Sequence, residues 1–108
     1  MHMVVTTVPL KRPLNPEEVA RLERELPPLA AGRPGYRGLY WGRTEETESL
    51  TVSVWDSLAE ADASFEAIAP WIRELLGPIL AGPPQRRAAE VLVAHQAAAG
   101  DRTGGSRG

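Results

Sequence analysis

Along Leu50–Trp55 apolar and polar positions alternate, with Val52 and Val54 set against Thr51, Ser53 and Trp55. From Asp56 onward the apolar positions fall at helical spacing instead, so a strand is predicted to run straight into a helix. Ser57 and Glu60 form an S-x-x-E capping box at the helix start, and Leu58, Ala61, Phe65 and Ile68 share one face. Pro70 is predicted to interrupt this helix and to open a second short one, made apolar by Trp71, Ile72, Leu75, Leu76 and Ile79. Upstream, Met3–Val8 reads as a strand with apolar residues on both faces, closed by Pro9 and Pro13. Asn15-Pro16-Glu17-Glu18 marks a capped helix start, followed by Val19, Leu22, Leu26 and Leu29 at helical spacing. Pro27-Pro28 is predicted to weaken or end that helix, with a looser turn reaching Ala31. Gly32–Gly35 is a stop and turn, Tyr36–Arg43 a second strand, and Thr44–Ser49 the acidic turn of a hairpin into Leu50–Trp55. Ala88–His95 is predicted as the fourth strand.

The predicted order is β-α-β-β-α-β. With right-handed crossovers it gives an α+β, ferredoxin-like fold, a four-stranded antiparallel sheet with both helices on one face. The first and fourth strands carry apolar groups on both faces, so the sheet face away from the helices is expected to be covered by a second copy of the chain. The chain has 108 residues, enough for one small domain, placed at residues 1–96, with a flexible Ala/Gly/Ser/Arg-rich tail over 97–108.

Composition excludes several classes of function. The chain has no cysteine and two histidines, His2 and His95, so thiolate chemistry, disulfides and a His-rich metal centre within one chain are not expected. A formal net charge of -2 with scattered basic residues argues against a nucleic-acid partner. No run of apolar residues is long enough for a membrane span, and no signal peptide is visible, so a cytoplasmic location is the default expectation. Of the twelve basic residues only Lys11 is lysine, a bias that suggests a GC-rich, bacterial genome. Either Met1 or Met3 would serve as the native start.

The segments PGYRGLYWGR, LTVSVWDSLAEADAS and APWIRELLGPILAGPP resemble the antibiotic biosynthesis monooxygenase (ABM) domain of the dimeric α+β-barrel superfamily. The resemblance covers roughly Val4 to His95. It implies a homodimer whose sheets face each other, and a cavity between helices and sheet. For activity it implies a cofactor-free monooxygenase acting on an aromatic or polyketide-like small molecule. The alternative is a non-catalytic small-molecule-binding or accessory module. Haem-degrading relatives of this fold use an Asn on the first strand and a His in the second helical region. Here the first strand offers Thr6 and Thr7, and no His lies between Val4 and Ala94, so haem degradation is disfavoured. The quinone-forming members are thought to use pocket Asn, Trp, Tyr and Arg groups, whereas this chain's one Asn, Asn15, is already explained as a helix cap.

Six residues are candidates for the pocket, and no cofactor or metal is expected in it. Trp71, at the predicted helix break, would stack on a flat ligand or plug the cavity. Trp55 would be a pocket wall or a structural anchor; if Val52 and Val54 face the helices, it points to the dimer face, and if the register bulges, it turns inward. Tyr40 and Trp41 must face opposite ways, and Tyr40 would supply a phenol. His95, at the end of the predicted fourth strand, is the one histidine of the core sequence and the candidate general base. Arg73 would pair with an anionic oxygen, and Phe65 lies on the apolar face of its helix. For each the bland alternative is core packing or solvated surface.

Overall fold

Six segments carry the regular structure of this computed structural model, which describes residues 1–97. They are β1 (His2–Pro9), α1 (Pro16–Ala31), β2 (Tyr36–Glu45), β3 (Glu48–Trp55), α2 (Leu58–Leu76) and β4 (Gln85–Glu90), with a 3-10 turn at Gly77–Ile79. Apart from Ala97, the tail expected over 97–108 lies outside the described residues. The strands form one antiparallel sheet in the order β2-β3-β1-β4, and the helices cover one of its faces. This is the ferredoxin-like α+β plan.

The start of α1 is held as its sequence dictates. Asn15 Oδ1 accepts from Glu18 N–H at 2.8 Å, and the Glu18 carboxylate accepts from Asn15 N–H at 2.9 Å. At α2 the box is only half made. Ser57 Oγ accepts from Glu60 N–H at 3.2 Å, but the Glu60 carboxylate accepts from the Ser57 hydroxyl at 3.0 Å, not from its backbone N–H. That carboxylate lies against Gly35, at φ 80°, where a Cβ would collide with it. The positive φ is what favours glycine at the turn into β2, since the Glu60 carboxylate at the end of its side chain could shift.

Both helices run through their prolines. Pro27 and Pro28 lie inside α1, and Pro70 inside α2. Each removes one backbone hydrogen bond, but all three are exposed, so the carbonyls left free can bond to water. Leu22, Leu26 and Ala30, one turn apart, are buried on the opposite side of α1 and carry it through to Ala31. Leu76 is fully buried and ties the last turn of α2 into the core in the same way.

The fourth strand also differs from expectation. It occupies Gln85–Glu90, not Ala88–His95. β1 fixes this: His2 pairs with Glu90, and the last bond of the ladder runs from Val91 N–H to the Met1 carbonyl at 2.9 Å. Leu92–His95 have no strand to pair with, and Leu92 and Val93 are 85% and 86% exposed.

The facing of β3 decides where Trp55 points. The β1–β3 register is unbroken and places Val4 opposite Ser53, Thr6 opposite Thr51 and Val8 opposite Ser49. Val4, Val8 and Trp55 are buried beneath the helices, so the helix side of β3 carries Ser49, Thr51, Ser53 and Trp55. Val52 and Val54 point away from the helices, beside Val5 and Met3 of β1. Trp55 thus turns inward without a bulge, because the polar set of the alternation, not the apolar one, faces the helices.

This facing divides the core. One buried cluster is Val8, Leu10, Leu14, Leu22, Leu76 and Ile79. The other is Val4, Trp55 and Ala61, with Tyr36 packed against it. Between them the sheet presents Thr6, Thr51 and Ser53, side chains too short to reach the helices.

Candidate functional site

The short side chains at the centre of the sheet leave a cavity of about 340 Å³ between α2, α1 and the sheet. Thr6, Thr51 and Ser53 form its floor, with Leu39 and Trp41 from β2 and Arg86 from β4. Ala61, Phe65, Ile68, Ala69, Ile72 and Arg73 of α2 form the roof. Its volume and mostly apolar lining fit a small organic molecule.

Polar groups in this wall are few and incompletely satisfied. Trp55 Nε1 donates to Ser53 Oγ at 2.9 Å. Trp41 Nε1 and Arg86 Nε are buried and have no acceptor. A buried donor without a partner costs about 1–3 kcal/mol, which an acceptor atom on a bound molecule would recover. No carboxylate or histidine lines the cavity among the described residues, whereas two arginines do. The cavity is thus suited to an apolar body bearing oxygen acceptors. Among the described residues no three His, Cys, Asp or Glu side chains group to hold a metal ion.

Of the six candidates, Trp55, Phe65 and Arg73 line this cavity. Tyr40 lies on the opposite face of the sheet and is 79% exposed. His95 lies beyond the end of β4 and is exposed. Trp71 packs against the first core cluster, and its Nε1 donates to Glu25 Oε1 of α1 at 2.9 Å. It clasps the two helices together instead of lining the cavity, because α2 does not break at Pro70. Thr6, Trp41, Thr51, Ser53 and Arg86 line the cavity without having stood out in the sequence. Their signal was the polar parity of β3 and its register partners.

The Trp71–Glu25 clasp has a pH signature. The indole N–H, and after it Arg21 (3.0 Å), hold the Glu25 carboxylate below the usual carboxylate range. A carboxylate depressed in the folded state contributes stability that is complete above its unfolded pKa, about 4.3, and is lost as pH falls through the lower folded value. Thermal melts between about pH 6 and pH 3 are expected to fall less steeply for Glu25→Gln than for the parent chain. Identical slopes would remove the clasp from the account.

The fold and its cavity define the chain as a ferredoxin-like α+β protein with an apolar chamber between its layers. Solved structures with that architecture are found among monooxygenases. The ActVA-Orf6 monooxygenase of Streptomyces coelicolor, in complex with Nanaomycin D, superposes with a TM-score of 0.69 at 20% identity, over 90% of this chain and 92% of that one. SnoaB of Streptomyces nogalater, a cofactor-independent oxygenase, gives 0.61 at 13% identity over 89% and 94%. The NE2512 protein of Nitrosomonas europaea, of unknown function, gives 0.70 at 17% identity over 90% and 94%. The chain thus has the fold of the antibiotic biosynthesis monooxygenase domain. No family model and no curated protein matches it in sequence. Among the described residues no helix is long and apolar enough to cross a membrane.

Proposed function

We propose that the chain binds a flat, oxygen-bearing aromatic molecule between its helices and sheet and promotes its oxidation by O2 without a bound cofactor. The observation that carries this reading is the chamber itself, mostly apolar, with two buried donors in its lining residues that have no acceptor, Trp41 Nε1 and Arg86 Nε. The two oxygenases that share the fold support it. For a hydroxyarene the balance is closed by O2 alone. One oxygen atom enters the ring to give the quinone, the other leaves as water, and the substrate supplies all the electrons. The protein would hold the electron-rich ring, donate to its oxygens and exclude water.

A second reading, binding without turnover, is favoured by one specific observation: no carboxylate or histidine lines the chamber among the described residues to act as a general base. Aerobic and anaerobic incubation with a panel of anthrones and naphthols separates the two. Saturable, oxygen-dependent product formation is expected. It should fall about tenfold or more, the equivalent of 1.4 kcal/mol, in Ala69→Phe, which fills the chamber from α2. Binding without oxygen uptake would favour the second reading, and no binding would dismiss both.

We also propose that the chain is a homodimer, paired through the sheet face that bears Val5, Val52, Val54 and Tyr40. Two features support this: the apolar set of the β3 alternation lies on that face, and Leu92 and Val93 are exposed where the chain leaves β4.

A further inference from the structure

The edge strand β4 and helix α2 are joined by side chains of Arg86, Asp62 and Phe65. Arg86 Nη2 donates to Asp62 Oδ1 at 2.7 Å, and the guanidinium carbon lies 5.1 Å from the centre of the Phe65 ring. Arg86 and Phe65 line the cavity, whereas the Asp62 side chain is 54% exposed, so this contact stands where the cavity meets solvent. Arg86 side-chain exposure is only 27%.

The guanidinium fork is half used. Nε and Nη2 form one edge of the group, the edge that a carboxylate normally takes with both oxygens. Asp62 engages Nη2, while Nε is buried and has no acceptor. Arg73 adds a second cation to the lining and makes no ion pair among the described residues. With no acidic side chain in the lining, the chamber wall is positive overall.

From this geometry we infer that Arg86 reads an anionic oxygen on the ligand, a carboxylate or phenolate, and that Asp62 is the resident competitor that sets how strongly it does so. The inference rests on the chamber being a ligand site. An incoming anion completes the fork at Nε and either displaces Asp62 from Nη2 or shares the guanidinium with it. In both cases the Asp62 charge opposes an anionic ligand and leaves a neutral one of the same shape unaffected. Asp62 is then a specificity-determining residue outside the chamber wall.

The test uses two probes with the same rings, 2-naphthoate and its neutral methyl ester, titrated by calorimetry at one fixed ionic strength. The parent chain is expected to prefer the acid. Asp62→Asn should raise affinity for the acid by about five- to tenfold, within the range of a single charge-assisted contact, and leave the ester unchanged. Arg86→Gln should abolish the preference, and if it folds poorly, Arg73→Gln should reduce it. Equal affinity for acid and ester in the parent chain, or a parallel change for both probes in Asp62→Asn, would overturn the inference while leaving the chamber as a ligand site. Failure of both probes to bind would overturn the ligand-site reading, and this inference with it.

Discussion

Trp55→Ala is expected to bring the chain to the edge of unfolding. The indole is 5% exposed and packs with Val4 and Ala61, and Tyr36 meets it edge-on at 5.5 Å and 71°. Truncating a buried Trp to Ala costs about 3–5 kcal/mol, because the lost transfer energy is joined by an unfilled void. A domain this small has only about 5–15 kcal/mol in total. The other buried members of that cluster, Val4 and Ala61, are too small to take its place, and the neighbouring chamber leaves nothing on that side to fill the void. The melting temperature should fall by roughly 15–30 °C. Trp55→Phe keeps most of the volume and loses the bond to Ser53 Oγ, so its loss should be less than half as large. A Trp55→Ala chain melting within about 5 °C of the parent, a shift worth only about 1 kcal/mol, would show that the second cluster is not part of the cooperative core.

Val52→Lys should leave the fold intact and separate the proposed dimer. Val52 stands in register between Val5 of β1 and Tyr40 of β2, at the middle of the sheet face turned away from the helices. In a single chain a lysine there extends into water at little cost. In a face-to-face pair it buries an unpaired ammonium on each side of the two-fold axis, a penalty of several kcal/mol. The dissociation constant should rise by at least about a hundredfold, equivalent to roughly 2.7 kcal/mol. Sedimentation equilibrium is expected to give twice the chain mass for the parent and the single mass for the variant. A parent chain that sediments as a monomer ends the dimer proposal outright.

Local signals in the sequence revealed the order of the main elements, and the two helix starts were the sharpest. Asn15 and Ser57 cap their helices through contacts that involve only residues three apart, so nothing distant had to be known. What was not legible depended on contacts across the chain. Pro27, Pro28 and Pro70 break helices in isolation, yet here they lie on solvent faces while Leu22, Leu26 and Leu76 hold the helices from the other side. The end of β4 is set by the start of β1, far away in sequence. The facing of β3 was hidden for a related reason. Alternation shows that two faces differ, not which one meets the helices. Where both sheet faces are proposed to be covered, the more apolar set need not be the one beneath the helices.

That ambiguity governed the site as well. The polar residues Thr51 and Ser53 face the helices, so the chamber lies at the centre of the sheet, and its wall includes Trp41 and Arg86. Trp55 now stands at one end of that chamber as both anchor and wall, while Trp71 lies outside it. The continuous α2 is what separates the two roles.

The three tryptophans supply the most direct test of the central claim, that a flat aromatic molecule binds between helices and sheet. Each has one indole N–H, and the three differ in their surroundings. Trp41 Nε1 has no acceptor, Trp55 Nε1 is held by Ser53, and Trp71 Nε1 is held by Glu25 outside the chamber. Anaerobic titration with 1-naphthol, followed by 15N–1H spectra of the assigned indole resonances, reads all three at once. The account predicts a large, saturable shift at Trp41, a smaller one at Trp55 and none at Trp71. A shift at Trp71 alone, or no indole shift at roughly millimolar probe, a concentration that detects even weak affinity, would contradict it.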